Sequence, residues 1–230
     1  MSRAPIPVPV VGVLAATALL AGCTAAPPAA RPAPDPAPSA STAPSPTPSR
    51  PATGDLVLGP GGFAALPLGT RAADLDPATA MASFDPEACP GAVAGYEGLW
   101  AVDPSYAAEN PFGPDTAFAV AGVDDVITRI DLYNGDVAVE GGLRVGDARA
   151  DVEAAYPDAE QLVHGGGVST VYLVPGDGGV LQIEVAGDDE RYWADSATEP
   201  GHVFAVRAVT ADTEPYGIAG SDNVLGDCPL

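Results

Sequence analysis

The sequence predicts an α+β fold: two tandem units, each a short helical segment plus an antiparallel β-meander, after a disordered Pro-rich linker. Three observations point to it. Residues 24–53 contain 10 Pro, 9 Ala, 4 Ser and 4 Thr and no large apolar side chain. Two ten-residue segments, 66–75 and 143–152, align without gaps at an offset of 77. After each of them come alternating apolar runs broken by Gly-rich turns, the period-2 pattern of half-buried strands.

The chain of 230 residues opens with Arg3 and an apolar run from Val10 to Leu20. That run is too short for a bilayer span and suits the core of a signal peptide, so 1–22 is expected to be removed. It ends in Leu20-Ala21-Gly22-Cys23, which resembles the bacterial lipobox, where small residues precede a cysteine that is acylated. The resemblance, to actinobacterial-type lipoproteins, implies that Cys23 carries palmitate and that the mature chain is anchored to the membrane outside the cytoplasm. Stable anchoring takes more than one acyl chain, at about 0.8 kcal/mol per buried CH₂. Residues 23–53 then read as a disordered spacer, because nothing in them offsets the entropy of ordering. With polyproline II geometry at roughly 3.1 Å per residue the spacer reaches on the order of 90 Å. Its Ser, Thr and Pro content also fits O-glycosylation.

The remainder divides at the repeat into unit 1, 54–138, and unit 2 with a C-terminal tail, 139–230. In the aligned segments Gly69 matches Gly146 and Ala73-Asp74 matches Ala150-Asp151. Each reads as an extended piece, a Gly turn, an N-cap at Thr70 or Asp147, and a helix. Ala150, Val152, Ala155 and Tyr156 give the second helix its apolar spacing, and Pro157 stops it. Pro77 leaves the first helix short or broken. A second match, shifted by 78, sets Arg129 of Val126–Asp131 on Arg207 of Ala205–Val209, each a strand ending its unit. Further strands are expected at Tyr96–Val102, Ala117–Ala121, Gln161–His164, Ser169–Val174 and Val180–Val185. The turns between the last three are Gly165-Gly166-Gly167 and Pro175–Gly179.

This order of Gly turn, Ala-Asp-Val helix and strands ending in a Val/Ile-Arg strand resembles the repeats of the β-lactamase inhibitor protein and the small outer-membrane assembly lipoproteins. In the inhibitor family two such units stand in tandem and form a concave sheet. The resemblance covers Phe63–Asp131 and Gly141–Asp212 loosely. It implies a binding module, with no inhibitory residue placed on this chain.

Charge narrows the function classes. The chain has 9 Arg, no Lys and 31 acids, a net charge of -22. Nucleic-acid backbones would be repelled, so no nucleic-acid partner is expected. A basic protein or cell-wall partner would be attracted. Calcium is the sharper reading of the acids, but Asp124-Asp125, Asp177-Gly178 and Asp188-Asp189-Glu190 lack the alternating spacing of an EF-hand loop. No metal or other cofactor is expected.

Once Cys23 is acylated, Cys89 and Cys228 remain, and an exported compartment permits a bridge between them. Closing a loop of about 140 residues contributes roughly 5 kcal/mol in the chain-entropy account. Two free thiols are the alternative.

No Gly-x-Ser-x-Gly, Ser-x-x-Lys, Cys-x-x-Cys or His-Glu-x-x-His occurs. Gly59-Pro60-Gly61-Gly62 reads as a turn rather than a phosphate loop. Binding is therefore expected rather than catalysis, with Tyr192, Trp193 and Tyr172 as candidate contact residues and Tyr192-Trp193 in the polar loop Gly187–Gly201 preferred. The alternative is a cell-envelope hydrolase using Asp/Glu and His164; His202 precedes the last strand and reads as polar surface.

Overall fold

The computed structural model describes residues 49–90, 92, 97–111 and 113–219. The signal segment, Cys23, most of the linker, Tyr96 and Cys228 lie outside the described residues. The strands in chain order are β1 (Val57–Leu58), β2 (Gly62–Phe63), β3 (Leu66–Pro67), β4 (Ala82–Asp85), β5 (Leu99–Val102), β6 (Ala119–Val123), β7 (Val126–Leu132) and β8 (Ala138–Val139). Helix α1 (Arg149–Ala155) follows, then β9 (Glu160–His164), β10 (Ser169–Gly176), β11 (Gly179–Ala186), the one-turn α2 (Glu190–Trp193) and β12 (Val203–Val209).

The central element is a six-stranded antiparallel sheet in the order β6-β7-β12-β11-β10-β9. Its strands are long and rich in Val and Ile, which fit a pleated, packed surface. Asp177-Gly178 closes the β10–β11 hairpin between the paired Gly176 and Gly179. Gly178 sits at φ +87°, which a side chain rarely adopts.

Alternation assigns two faces to this sheet. One carries Ile130, Leu132, Val206, Ala208, Leu181, Ile183 and Tyr172 into the main core, joined by Phe63, Phe118 and Val152 of α1. Burying a Val, Leu, Ile or Phe side chain contributes about 1.5–3 kcal/mol, so this cluster is the principal source of stability. The other face carries Arg129, Asp131, Arg207, Gln182, Glu184 and Ser169, and all six are buried.

The expectation of two tandem helix-plus-meander units is not met. The chain is mostly β, and the boundary drawn at 138/139 runs through shared structure: β7 from the first half pairs with β12 from the second, with Arg207 opposite Asp131. The parallel pair β1–β8 also joins the halves. A two-stranded ribbon is marginal by itself, and pairing β7 with β12 completes one large sheet with a continuous apolar face. The helix expected after Thr70 is a single 3-10 turn, Ala72–Asp74. Pro77 and the lack of an apolar stripe prevent its propagation. The second helix forms as α1, but its N-cap is Ala148, with Asp151 accepting the Ala148 N–H at 3.1 Å. Asp147 instead accepts from the Arg144 N–H.

The packed chain begins before Gly54. Arg50 donates to the Ala80 carbonyl and pairs with Asp103 at 3.0 Å, and Tyr106 donates to the Pro51 carbonyl.

Candidate functional site

The polar face of the sheet is the most unusual chemistry in the described chain. Strand β11 places Glu184 on it, diagonal to Arg207 of β12 and Ser169 of β10. Glu184 and Arg207 are both 0% exposed and paired at 3.0 Å. Ser169 Oγ donates to Glu184 Oε1 at 2.6 Å. On β7, Arg129 pairs with Asp131, and the Tyr133 hydroxyl donates to the same carboxylate. Burial works against the Arg129 charge, but Asp131 outweighs it and the guanidinium is held above its ordinary range.

Residues 216–219 run across this face as an irregular strap that ends in a turn at Ala219. The Arg207 guanidinium donates to the Tyr216 carbonyl at 2.6 Å. The Ile218 and Ala219 N–H groups donate to the Glu184 carboxylate at 2.8 Å and 3.2 Å. The Tyr216 ring lies under both guanidiniums, 4.7 Å from Arg207 and 5.5 Å from Arg129, a cation–π arrangement. Burial pushes the Tyr216 hydroxyl pKa up, against the lowering effect of the two arginines. Gly217 is held against His164, whose ring a Cβ at 217 would overlap. Ile218 and Ala219 complete a second apolar cluster with Trp193, Phe204 and Ala186.

Such a site can grip a polypeptide main chain. An arginine takes a carbonyl, and a carboxylate takes two successive N–H groups through charge-assisted hydrogen bonds. The strap does not satisfy the whole face: both amide atoms of Gln182 and the Arg207 Nε are buried without a hydrogen-bond partner.

The residues expected to make contacts are placed differently from one another. Tyr172 is 1% exposed and donates to Glu153 at 3.0 Å; burial first, then that hydrogen bond, pushes its hydroxyl pKa up to about 12. Trp193 is 6% exposed, packs at a tilt against Phe204 and donates its Nε1–H to the Val168 carbonyl. Neither ring is offered to solvent. Tyr192 is 43% exposed, edge-on to Trp193. The polar loop thus contains the short helix α2, pinned inward by Trp193, with Asp189 accepting the Arg191 N–H at its start. His202 lies 3.1 Å from the Pro200 carbonyl.

Cys89 is buried and disulfide-bonded. Among the described residues no group of three or more His, Cys, Asp or Glu side chains is placed to hold a metal ion. No described helix is long and apolar enough to cross a membrane.

An open cleft of about 480 Å³ lies beside the Gly59–Gly62 turn, Glu140, Tyr156 and the β10–β11 hairpin. The glycines there serve close packing, since a Cβ at Gly61 would stand 2.6 Å from the Asp177 carbonyl. Gly59 and Gly62 exchange both of their backbone hydrogen bonds, as a tight turn does.

Sequence reasoning reached Arg129 and Arg207 only as matched repeat positions and missed Glu184, Asp131 and Tyr216. The available signal was the polar residue at every second place in Leu181-Gln182-Ile183-Glu184-Val185, which reads as a solvated face until another segment is laid over it.

Neither a protein-family model nor a curated protein sequence matches the chain. A solved structure similar to it is that of the uncharacterized protein yfeY from Escherichia coli, at 16% identity and a TM-score of 0.37, over 66% of this chain and 99% of that one. At that TM-score the likeness carries no argument about fold or function.

Proposed function

We propose that this chain is a bacterial lipoprotein, acylated at Cys23, that presents a non-catalytic binding module outside the cytoplasm on a Pro-rich tether. The observation that carries the reading is the junction Leu20-Ala21-Gly22-Cys23, placed directly between an apolar run and the spacer. Support for binding comes from the sheet, where buried charges hold main-chain groups of residues 216–219. The acid excess suits a basic protein or wall partner, whose association slows as salt rises.

The test is the mature protein's N-terminus and mass. Cys23 at the N-terminus with acyl mass supports the reading, and Cys23→Ser is expected to abolish that modification and the membrane association. A mature N-terminus elsewhere without acyl mass overturns it. Turnover of an envelope substrate that is lost in His164→Ala would turn the reading to a hydrolase.

A further inference from the structure

We propose that β9, the open edge of the six-stranded sheet, takes an added antiparallel strand from a basic partner protein. Along the edge that strand reads apolar–apolar–polar–basic. This deepens the binding reading above and rests on it.

The sheet ends in β6 on one side and β9 on the other. The two edges are built differently. Strand β6 carries a register shift at Ala121/Gly122, and a Cβ at Gly122 would stand 2.7 Å from the Trp100 indole nitrogen of β5. Bulges and covering elements close an edge to further pairing. Strand β9 has neither. It pairs with β10 in unbroken register from Glu160 to His164 and has no other strand partner among the described residues. It also contains no Pro and no Lys, the residues that commonly blunt such edges.

The ladder determines which main-chain groups are open. The Gly187 N–H donates to the Val168 carbonyl, so residue 168 faces β11 and, by alternation, Ser169 bonds toward β9. Ser169 stands opposite His164. His164, Leu162 and Glu160 therefore bond inward to β10, and the N–H and C=O groups of Gln161 and Val163 point outward. That spacing is what one further antiparallel strand pairs with.

The side chains favour a strand over a cover laid on one face. Leu162 is 38% exposed and Val163 64%, and alternation points them to opposite faces of the sheet. A lid on either face would bury one of them. A strand alongside β9 shelters both through cross-strand pairs.

Charge selects the partner. Glu160 on the strand and Asp158 just before it are exposed, and neither forms an ion pair among the described residues. From residue 54 onward the chain has 6 Arg and 30 acids, a net of 6 − 30 = −24. A second copy of this chain would bring the same charge to the edge. A strand with Arg or Lys opposite Glu160 and Asp158 is attracted at long range and paired on arrival.

The probe is a synthetic end-blocked peptide, Thr-Val-Ile-Thr-Arg-Thr-Lys, titrated into the full mature chain by calorimetry, with hydrogen exchange read at Gln161 and Val163. Aligned antiparallel, its Val and Ile meet Val163 and Leu162, its Arg meets Glu160 and its Lys meets Asp158. Binding is expected, with exchange at both amides slowed at least tenfold at saturation and affinity falling as salt rises. N-methylation of the peptide's Val and second Thr removes the donors that pair with β9 and should lower affinity at least tenfold. Val163→Pro removes an outward N–H that the sheet does not use, so the chain should fold and bind at least tenfold more weakly. Glu160→Lys should weaken binding by a similar factor.

The proposal is overturned if the wild-type chain does not bind the peptide, or if the N-methylated peptide binds as well as the parent. The latter comparison needs no variant, so it decides the matter even where Val163→Pro fails to fold. Undiminished binding by folded Val163→Pro, or by a peptide with Glu in place of Arg and Lys, overturns it too. Dimers of the mature chain that Val163→Pro dissociates, with no peptide binding, would make the occupant a second copy and overturn it as well. A chain acylated at Cys23 that binds no peptide loses the edge site and keeps the tethered module. An unacylated chain that binds the peptide does the reverse.

Discussion

Replacing Glu184 by glutamine tests whether the polar face is held together by a buried charge pair. Glu184 is fully buried and accepts from Arg207, Ser169 and the N–H groups of Ile218 and Ala219. In Glu184→Gln the shape is kept, but an NH₂ replaces one carboxylate oxygen and faces other donors. Arg207 then carries a buried charge whose counter-charge is gone, and removing one partner of such a pair costs about 3–5 kcal/mol. At least one N–H of the strap is also orphaned, at about 1–3 kcal/mol per buried donor. The two terms overlap, so the expected loss is about 4 kcal/mol, a large share of the roughly 5–15 kcal/mol a domain has. The assay is urea unfolding followed by tryptophan fluorescence. Beside it run Arg207→Met and the double variant Glu184→Leu/Arg207→Met, with hydrogen exchange at Ile218 and Ala219. The double variant is expected to be better folded than either single charge removal, with a coupling of about 2 kcal/mol, because no unpaired charge remains. Exchange at both amides should quicken in Glu184→Gln before global unfolding. A loss below about 1 kcal/mol in Glu184→Gln, or additive single effects, would refute the assignment of a coupled buried pair.

Three further outcomes follow from the placements described. Trp193→Ala should cost about 3–5 kcal/mol in the same urea assay, since it opens a cavity beside Phe204, whereas the half-exposed Tyr192→Ala should stay within about 0.5 kcal/mol. Tyr172 titrates at about 12 in the folded chain against about 10 unfolded, so its contribution is complete below pH 10 and lost as pH rises to 12. Melting temperatures across that window should fall less steeply in Tyr172→Phe. Cys89→Ser removes a disulfide and should lower stability by about 2–5 kcal/mol, with the wild-type Cys89 thiol unreactive to alkylation until a reductant is added.

Strand positions in the second half were legible because period-2 alternation and glycine turns are local properties. The expected Ser169–Val174 and Val180–Val185 are β10 and β11, each extended only toward its ends. Helix α1 was legible for the same reason, through Val152 and Pro157. The architecture was not. Gapless repetition at 66–75 and 143–152 suggested two separate units, yet the matched strands β7 and β12 are neighbours in one sheet, a pairing decided by edge satisfaction and the shared apolar face. Tyr172 and Trp193 show the same limit from the other side, since an aromatic residue in a polar stretch has no local mark that tells an anchor in the core from an anchor for a partner.

The sequence by itself determined the acid excess and the alternation that makes strands, both of which depend on composition or on neighbours a few residues apart. Only the tertiary structure decided what lies over the polar face. Arg207, Glu184 and Tyr216 meet there from three separate stretches of chain. The polar alternation of β11, which locally resembles a solvated surface, is buried because a segment 34 residues away from Glu184 crosses it and supplies main-chain N–H groups to the Glu184 carboxylate in place of water.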